Sequence, residues 1–172
     1  MRLRPYVHSH DFEAISGWVT DERTHAMWCA NHIQFPMEKE AFGMLLCVMF
    51  SKFGDCPFVA TTDDGQIVGF ICCSLNYDSN EAMLAFVVVD PKQRGKGIGK
   101  EMIQLAAKYC FEILKADLVQ LNVFTANVPA RRCYESAGFS ERNTTPDAFK
   151  YKDESWGRCN MTISRDKLPI CR

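Results

Sequence analysis

The stretch VVVDPKQRGKGIGKEM, from Val87 to Met102, carries the strongest chemical signal in the sequence. An apolar strand pattern ends at Asp90-Pro91, a turn holds Gly95, Gly97 and Gly99, and a helical pattern starts at once. Glycines in such a turn let the backbone curl so that successive N–H groups point into one concavity. The start of the helix adds unpaired donors and the positive end of its dipole. Arg94, Lys96 and Lys100 supply cationic charge, and the whole suits a phosphate or pyrophosphate. Neither common nucleotide signature is met. A P-loop needs Ser or Thr after its G-K to hold magnesium, and this turn has none. A dinucleotide fingerprint reads G-x-G-x-x-G, whereas here the spacing is G-x-G-x-G followed by Lys100.

Other reactive side chains point elsewhere. The nine cysteines include no C-x-x-C pair, and they read as reduced thiols of a cytoplasmic protein, mostly small core fillers. Cys47 and Cys110 sit in apolar runs, and Cys72 and Cys73 should face opposite sides of a strand. His8 with His10, and His25 with His32, lack partners at ligand spacing, so no metal centre is expected. Twenty Lys plus Arg against 21 Asp plus Glu give a net charge of −1, which argues against a nucleic-acid partner. No apolar run reaches the ~18–20 residues of a membrane span. MRLRPYVHSHD lacks the apolar core of a signal peptide. A length of 172 residues, 47% apolar and 24% charged, predicts one globular domain over 1–172.

The periodicity places these residues on elements. A short strand over 2–7 leads to a helix from about Ser9, its expected N-cap, and to a second helical region over 21–31. A third helix runs from Pro36 to about Phe53, with Phe42, Leu45, Leu46, Met49 and Phe50 on one side. CPFVATT and QIVGFICCSLNY flank the turn Asp63-Asp64-Gly65 as a hairpin, and EAMLAFVVVD is the next strand. A helix over Ile98–Leu114, the strand DLVQLNVF, a helix over Val128–Ala137 and two strands around 139–151 and 158–164 complete the order. Asn127 should cap the last helix and Gly138 should end it.

Arg94-x-x-Gly97-x-Gly99 after an apolar strand resembles the pyrophosphate signature of the GNAT superfamily of N-acetyltransferases. Asn127, Ala130, Tyr134, Gly138 and Phe139 resemble that family's second cofactor motif, and the order of elements fits as well. The resemblance implies an α+β fold, an α/β sandwich with a mixed, mostly antiparallel sheet splayed between its fourth and fifth strands. It implies acetyl-CoA in that opening, with coenzyme A as product. The backbone of Phe86, Val87, Val88 and Val89 would pair with the pantetheine arm. Amides of Arg94, Gly95, Lys96, Gly97, Ile98, Gly99 and Lys100 would hold the pyrophosphate. Asn127 would contact the cofactor from the other side, and Tyr134 would face the thioester sulfur.

Such a reaction needs a neutral amine, donors for the thioester oxygen and a proton for the departing thiolate. Tyr134 is the expected general acid. The strand before Asn127 carries Asn122 where a number of relatives have glutamate, so Asn122 can orient a water or the amine but cannot take a proton. Glu81 and Asp78 are the nearest carboxylates for a base, with a bound water as the other route. The segments around Trp28 and around Phe149, Tyr151 and Trp156, with scattered acids, should line the acceptor side for a small molecule, a peptide N-terminus or a lysine. Transfer of a longer acyl group and a catalytically silent acyl-CoA-binding module are the alternatives. Pairing of the terminal strands would allow a homodimer.

Overall fold

The computed structural model describes residues 1–168. The chain runs β1 (Arg2–Pro5), α1 (His8–Ser16), α2 (Glu22–Cys29), α3 (Lys39–Phe53), β2 (Cys56–Thr61), β3 (Ile67–Asn76), β4 (Glu81–Val89), α4 (Ile98–Glu112), β5 (Leu118–Phe124), α5 (Val128–Ala137), β6 (Ser140–Tyr151) and β7 (Glu154–Ser164). The strands form one sheet in the order β1-β2-β3-β4-β5-β7-β6. Every neighbouring pair is antiparallel except β4 and β5. The α+β class and the order of elements agree with the sequence reading.

Each face of the sheet buries its own core. Ala82 and Leu84 of β4 join Val119, Leu121 and Val123 of β5 against α4 and α5. Phe42 and Leu45 of α3, Phe12 and Ile15 of α1 and Phe70 of β3 fill the other side. Cys73 belongs to the first core and Cys72 to the second, as the strand period requires. Gly69 permits close contact between β3 and α4: an added Cβ would lie 2.5 Å from Sδ of buried Met102.

Three local expectations change. Ser9 does not cap α1. The N-cap position is Val7, and its N–H donates to Oδ2 of Asp11 at 2.7 Å. That carboxylate is fully buried and takes both Arg4 guanidinium nitrogens at 2.8 Å, so a tertiary ion pair replaces a local cap. Cys47 and Phe50 are exposed rather than core, because among the described residues no element covers the side of α3 that carries them. The third helix begins at Lys39, after the loop that follows Pro36.

Candidate active site

The parallel pairing of β4 and β5 is short. It runs from Glu81–Leu118 to Leu84–Leu121 and then ends, while β4 continues along β3 and β5 continues along β7. The two strands part at Ala85 and Asn122, leaving one edge of each without a strand partner. A cleft of about 1650 Å³ runs along this face of the sheet, with Trp28 and Phe86 on one wall and Asn122 and Phe124 on the other.

A bulge sits at the parting. Phe70 pairs with Val88 and Cys72 with Ala85, so Phe86 and Val87 together oppose Ile71. Phe86 takes a φ of +51°, unusual for a bulky residue. Indole Nε1 of Trp28 donates to the Phe86 carbonyl at 2.8 Å and holds the bulge from α2. The extra residue reverses the alternation of β4: Ala82 and Leu84 face α4, whereas Phe86 and Val88 face the helices on the opposite side. Of the backbone groups expected to meet a ligand over Phe86 to Val89, the Phe86 carbonyl is therefore already engaged.

The glycine turn follows. Oδ1 of Asp90 accepts the Lys92 N–H at 2.9 Å and fixes the chain as it leaves β4. Gly95 and Gly97 have φ of +76° and +82°, with no atom within 4 Å of an added Cβ, so backbone conformation and not crowding calls for glycine. The first internal bond of α4 runs from Glu101 N–H to Gly97 O at 3.1 Å. The amides of Ile98, Gly99 and Lys100 precede it and face outward as donors. Nζ of Lys96 rests on Oε1 of Gln93 at 3.1 Å.

Gly99 marks where α4, β4 and α5 meet. An added Cβ would lie 3.1 Å from Sγ of Cys133 and 3.6 Å from Cγ2 of Val89. On α5, Asn127 is the N-cap, accepting the Ala130 N–H at 3.3 Å, and Gly138 ends the helix with a φ of +107°. Tyr134 is buried on the α4 side of the sheet. Burial pushes its phenol pKa well up and the adjacent Cys133 adds to the rise, so the hydroxyl keeps its proton at neutral pH.

The other two expected catalytic residues lie on the opposite face and are linked. Nε2 of Gln120 donates to Oε2 of Glu81 at 2.7 Å. Nδ2 of Asn160 donates to Oε1 of Gln120 at 3.0 Å and to Oδ1 of Asn122 at 3.1 Å. Arg142 grips both oxygens of Glu81, at 2.8 and 3.1 Å. Glu81, one of the two carboxylates that the sequence reading gave as candidates for a base, is held in an ion pair and anchors a polar row that ends at Asn122. Oδ1 of Asn160 is buried there without a partner among the described residues. Asp78 lies exposed in the β3–β4 turn, its N–H bonded to Asn76 at 2.9 Å. Sequence reasoning missed Gln120 and Asn160, although Gln120 and Asn122 share the polar face of β5 by simple alternation.

The acceptor-side aromatics do not form an empty cage. The Tyr151 and Trp156 rings stack at 4.8 Å, and the guanidinium of Arg23 lies 5.0 Å from the Trp156 centroid and 5.6 Å from that of Tyr151. Arg23 binds both oxygens of Glu154, which also accepts from Nε1 of Trp156 at 2.9 Å. These bonds, Arg23 first, hold the Glu154 carboxyl down at about 2. Lys152 pairs with Glu22 at 2.9 Å, so α2 is tied twice to the β6–β7 hairpin.

The model of the acetyltransferase (GNAT) family matches residues 14–139, well over half of the chain. This protein belongs to the GNAT family. It is therefore an acyltransferase by family, with both the glycine turn and Tyr134 inside the matched segment. An uncharacterised N-acetyltransferase of Methanocaldococcus jannaschii is 29% identical over 119 residues, covering 66% of this chain and 74% of that protein. The spermine/spermidine N(1)-acetyltransferase of Bacillus subtilis is 30% identical over 82 residues, 44% of this chain and 54% of that protein. The crystal structure of spermidine N-acetyltransferase from Vibrio cholerae, in complex with CoA and spermine, superposes with a TM-score of 0.80 at 22% identity, over 96% of both chains. The GNAT sheet of this chain thus matches a solved fold nearly from end to end. Among the described residues no cluster of His, Cys, Asp and Glu could hold a metal ion, and no helix is long and apolar enough to cross a membrane.

Proposed function

We propose that this GNAT protein moves an acetyl group from acetyl-CoA to a primary amine by direct attack within a ternary complex. One arrangement carries the reading: β4 and β5 part beyond Leu84 and Leu121, β4 runs on to the amide-lined turn, and the start of α4 there meets α5, the helix that carries the buried, protonated Tyr134. The residues present fit acetyl-CoA. Gly95 and Gly97 leave the turn open above their amides, Arg94, Lys96 and Lys100 match a pyrophosphate, and the free edge of β4 beyond Ala85 suits an extended amide-bearing arm. Acetyl-CoA would supply the activated acyl group as a thioester.

The remaining work falls to this chain's side chains and backbone. An unperturbed alkylamine of pKa about 10.4 is mostly protonated at pH 7 and must lose its proton before attack. Asn122 orients the amine or a water that receives the proton, and the row through Asn160 and Gln120 to Glu81 fixes that amide. Backbone N–H near Val87 or Val88 faces the negative charge that grows on the carbonyl oxygen. As nitrogen bonds to the carbonyl carbon and the carbon–sulfur bond breaks, the Tyr134 hydroxyl gives its proton to the sulfur, and the proton that the nitrogen sheds in becoming an amide returns through water to Tyr134. The relatives that acetylate spermine and spermidine support an amine acceptor. The outer edge of β6 is open and supports the homodimer reading.

Tyr134→Phe tests the assignment. The turnover number should fall by about 10²-fold or more, as for loss of a general acid, while the KM for acetyl-CoA holds within about twofold. Full turnover in that variant would remove Tyr134 from the chemistry. Tight acetyl-CoA binding without thiol release for any amine would favour the silent module.

A further inference from the structure

Among the described residues three aspartates are buried, and two of them have evident partners. Asp11 holds Arg4 and the Val7 N–H, and Asp90 holds the Lys92 N–H. Asp55, only 4% exposed, has neither a cation nor a backbone amide as a partner among the described residues; Ser74, one residue on from the Cys73 that pairs with Cys56, is the polar side chain beside it. Burial accordingly pushes its carboxyl upward, and Ser74 offsets this in part. Lys52 lines the same cleft, but among the described residues no ion pair joins it to Asp55. A buried carboxylate without a cation is costly unless something else supplies one.

Its position suggests what does. Asp55 precedes Cys56, which pairs with Cys73; Ser74 pairs with Met83, and Met83 with Gln120. Asp55, Ser74, Met83 and Gln120 therefore form a row across the sheet, and all four line the cleft that reaches Asn122 and Phe86. Two strand spacings of ~4.8 Å and three residues of ~3.3 Å separate Asp55 from the parting at Phe86, roughly 14 Å between backbones. Side-chain reach reduces the gap between charge and reacting centre to roughly 10 Å.

Resting on the N-acetyltransferase reading, we propose that Asp55, supported by Ser74, binds a distal ammonium group of the acceptor, and that the acceptor is an elongated amine with a second positive charge roughly 10 Å from the reacting nitrogen. The attacking amine loses its proton at the parting of β4 and β5, while the far amine stays charged against Asp55. The anchor accounts for a buried acid that the described residues leave without a cation.

The test compares octane-1,8-diamine with octylamine, equal in length and differing in the second charge. Wild-type kcat/KM should favour the diamine by about 10–100-fold, the range of one charge-assisted contact, and Asp55→Asn should abolish the preference through KM while leaving octylamine unchanged. Equal efficiency for both amines in the wild type, or an equal loss for both in Asp55→Asn, would overturn the anchor. Calorimetric binding of the two amines to the wild type reads the anchor without turnover or a variant. Diamine binding with no thiol release would support Asp55 and defeat the acetyltransferase reading. Release of the CoA thiol at equal rates with either amine, with no difference in binding, would do the reverse.

Discussion

Replacing Gly99 by Ala probes the junction that sets the glycine turn. The new Cβ would stand 3.1 Å from Sγ of Cys133, a few tenths of an ångström inside ordinary contact. Cys133 is half-buried and packs between α4 and α5, so it can yield only in part. Overpacking of this kind costs about 1–2 kcal/mol. Exchanging Gly for Ala in a first helical turn returns about 0.5 kcal/mol of backbone entropy. The net loss is about 0.5–1.5 kcal/mol, or a fall in Tm of about 1–6 °C for a chain of this size. If the helix start moves, the amides of Ile98 and Lys100 move with it, and acetyl-CoA affinity should drop about two- to tenfold. Cys133→Ala removes the obstructing sulfur. On that background Gly99→Ala should become neutral or stabilising and should leave the acetyl-CoA KM unchanged, a coupling of about 1–2 kcal/mol between the sites. Thermal melts and acetyl-CoA titrations on the four proteins of the cycle measure both effects. Additivity within about 0.5 kcal/mol would refute the contact and the argument that α5 positions the turn.

Further tests follow from the ion pairs. Asp11→Ala strands Arg4 and the N–H of Val7 at the N-cap of α1, and should cost about 2–3 kcal/mol, read as a lower urea midpoint with an unchanged slope. Glu154 has its folded-state pKa lowered from 4.5 to about 2, first by Arg23 and then by Trp156. Its contribution is therefore complete above 4.5 and is lost as pH falls toward 2, and Glu154→Gln should flatten the Tm-against-pH curve within that window. Because this pair is solvent-exposed, added salt should shrink the difference between wild type and variant.

The legible parts of the molecule were those decided locally. Gly95 and Gly97 mark positive φ, Asn127 and Gly138 bound α5, and the alternation of Cys72 and Cys73 divides the two cores. What stayed hidden depends on partners far apart in the chain. Glu81 looks like a free base until Arg142, 61 residues on, closes over it. The aromatic segment looks like a cage for a substrate cation until Arg23 fills it, held by a glutamate 131 residues away. Ser9 looks like a helix cap because the buried pair of Arg4 and Asp11 leaves no periodic trace. Phe50 fits the helical stripe of α3, but periodicity does not report how far a neighbour covers it.

The bulge at Phe86 makes strand length, more than side-chain identity, the tightly constrained quantity in β4. A one-residue deletion before Val87 would leave Val88 and Val89 apolar but would turn each toward the other core. It would also remove the kink that Trp28 grips. The turns at 62–66 and 77–80 can change length across related sequences without reaching the cleft, whereas β4 must keep its count of residues while its valines exchange freely with isoleucine or leucine. Insertions and deletions, mapped over relatives, should therefore stop abruptly at Glu81 and resume only beyond the glycine turn.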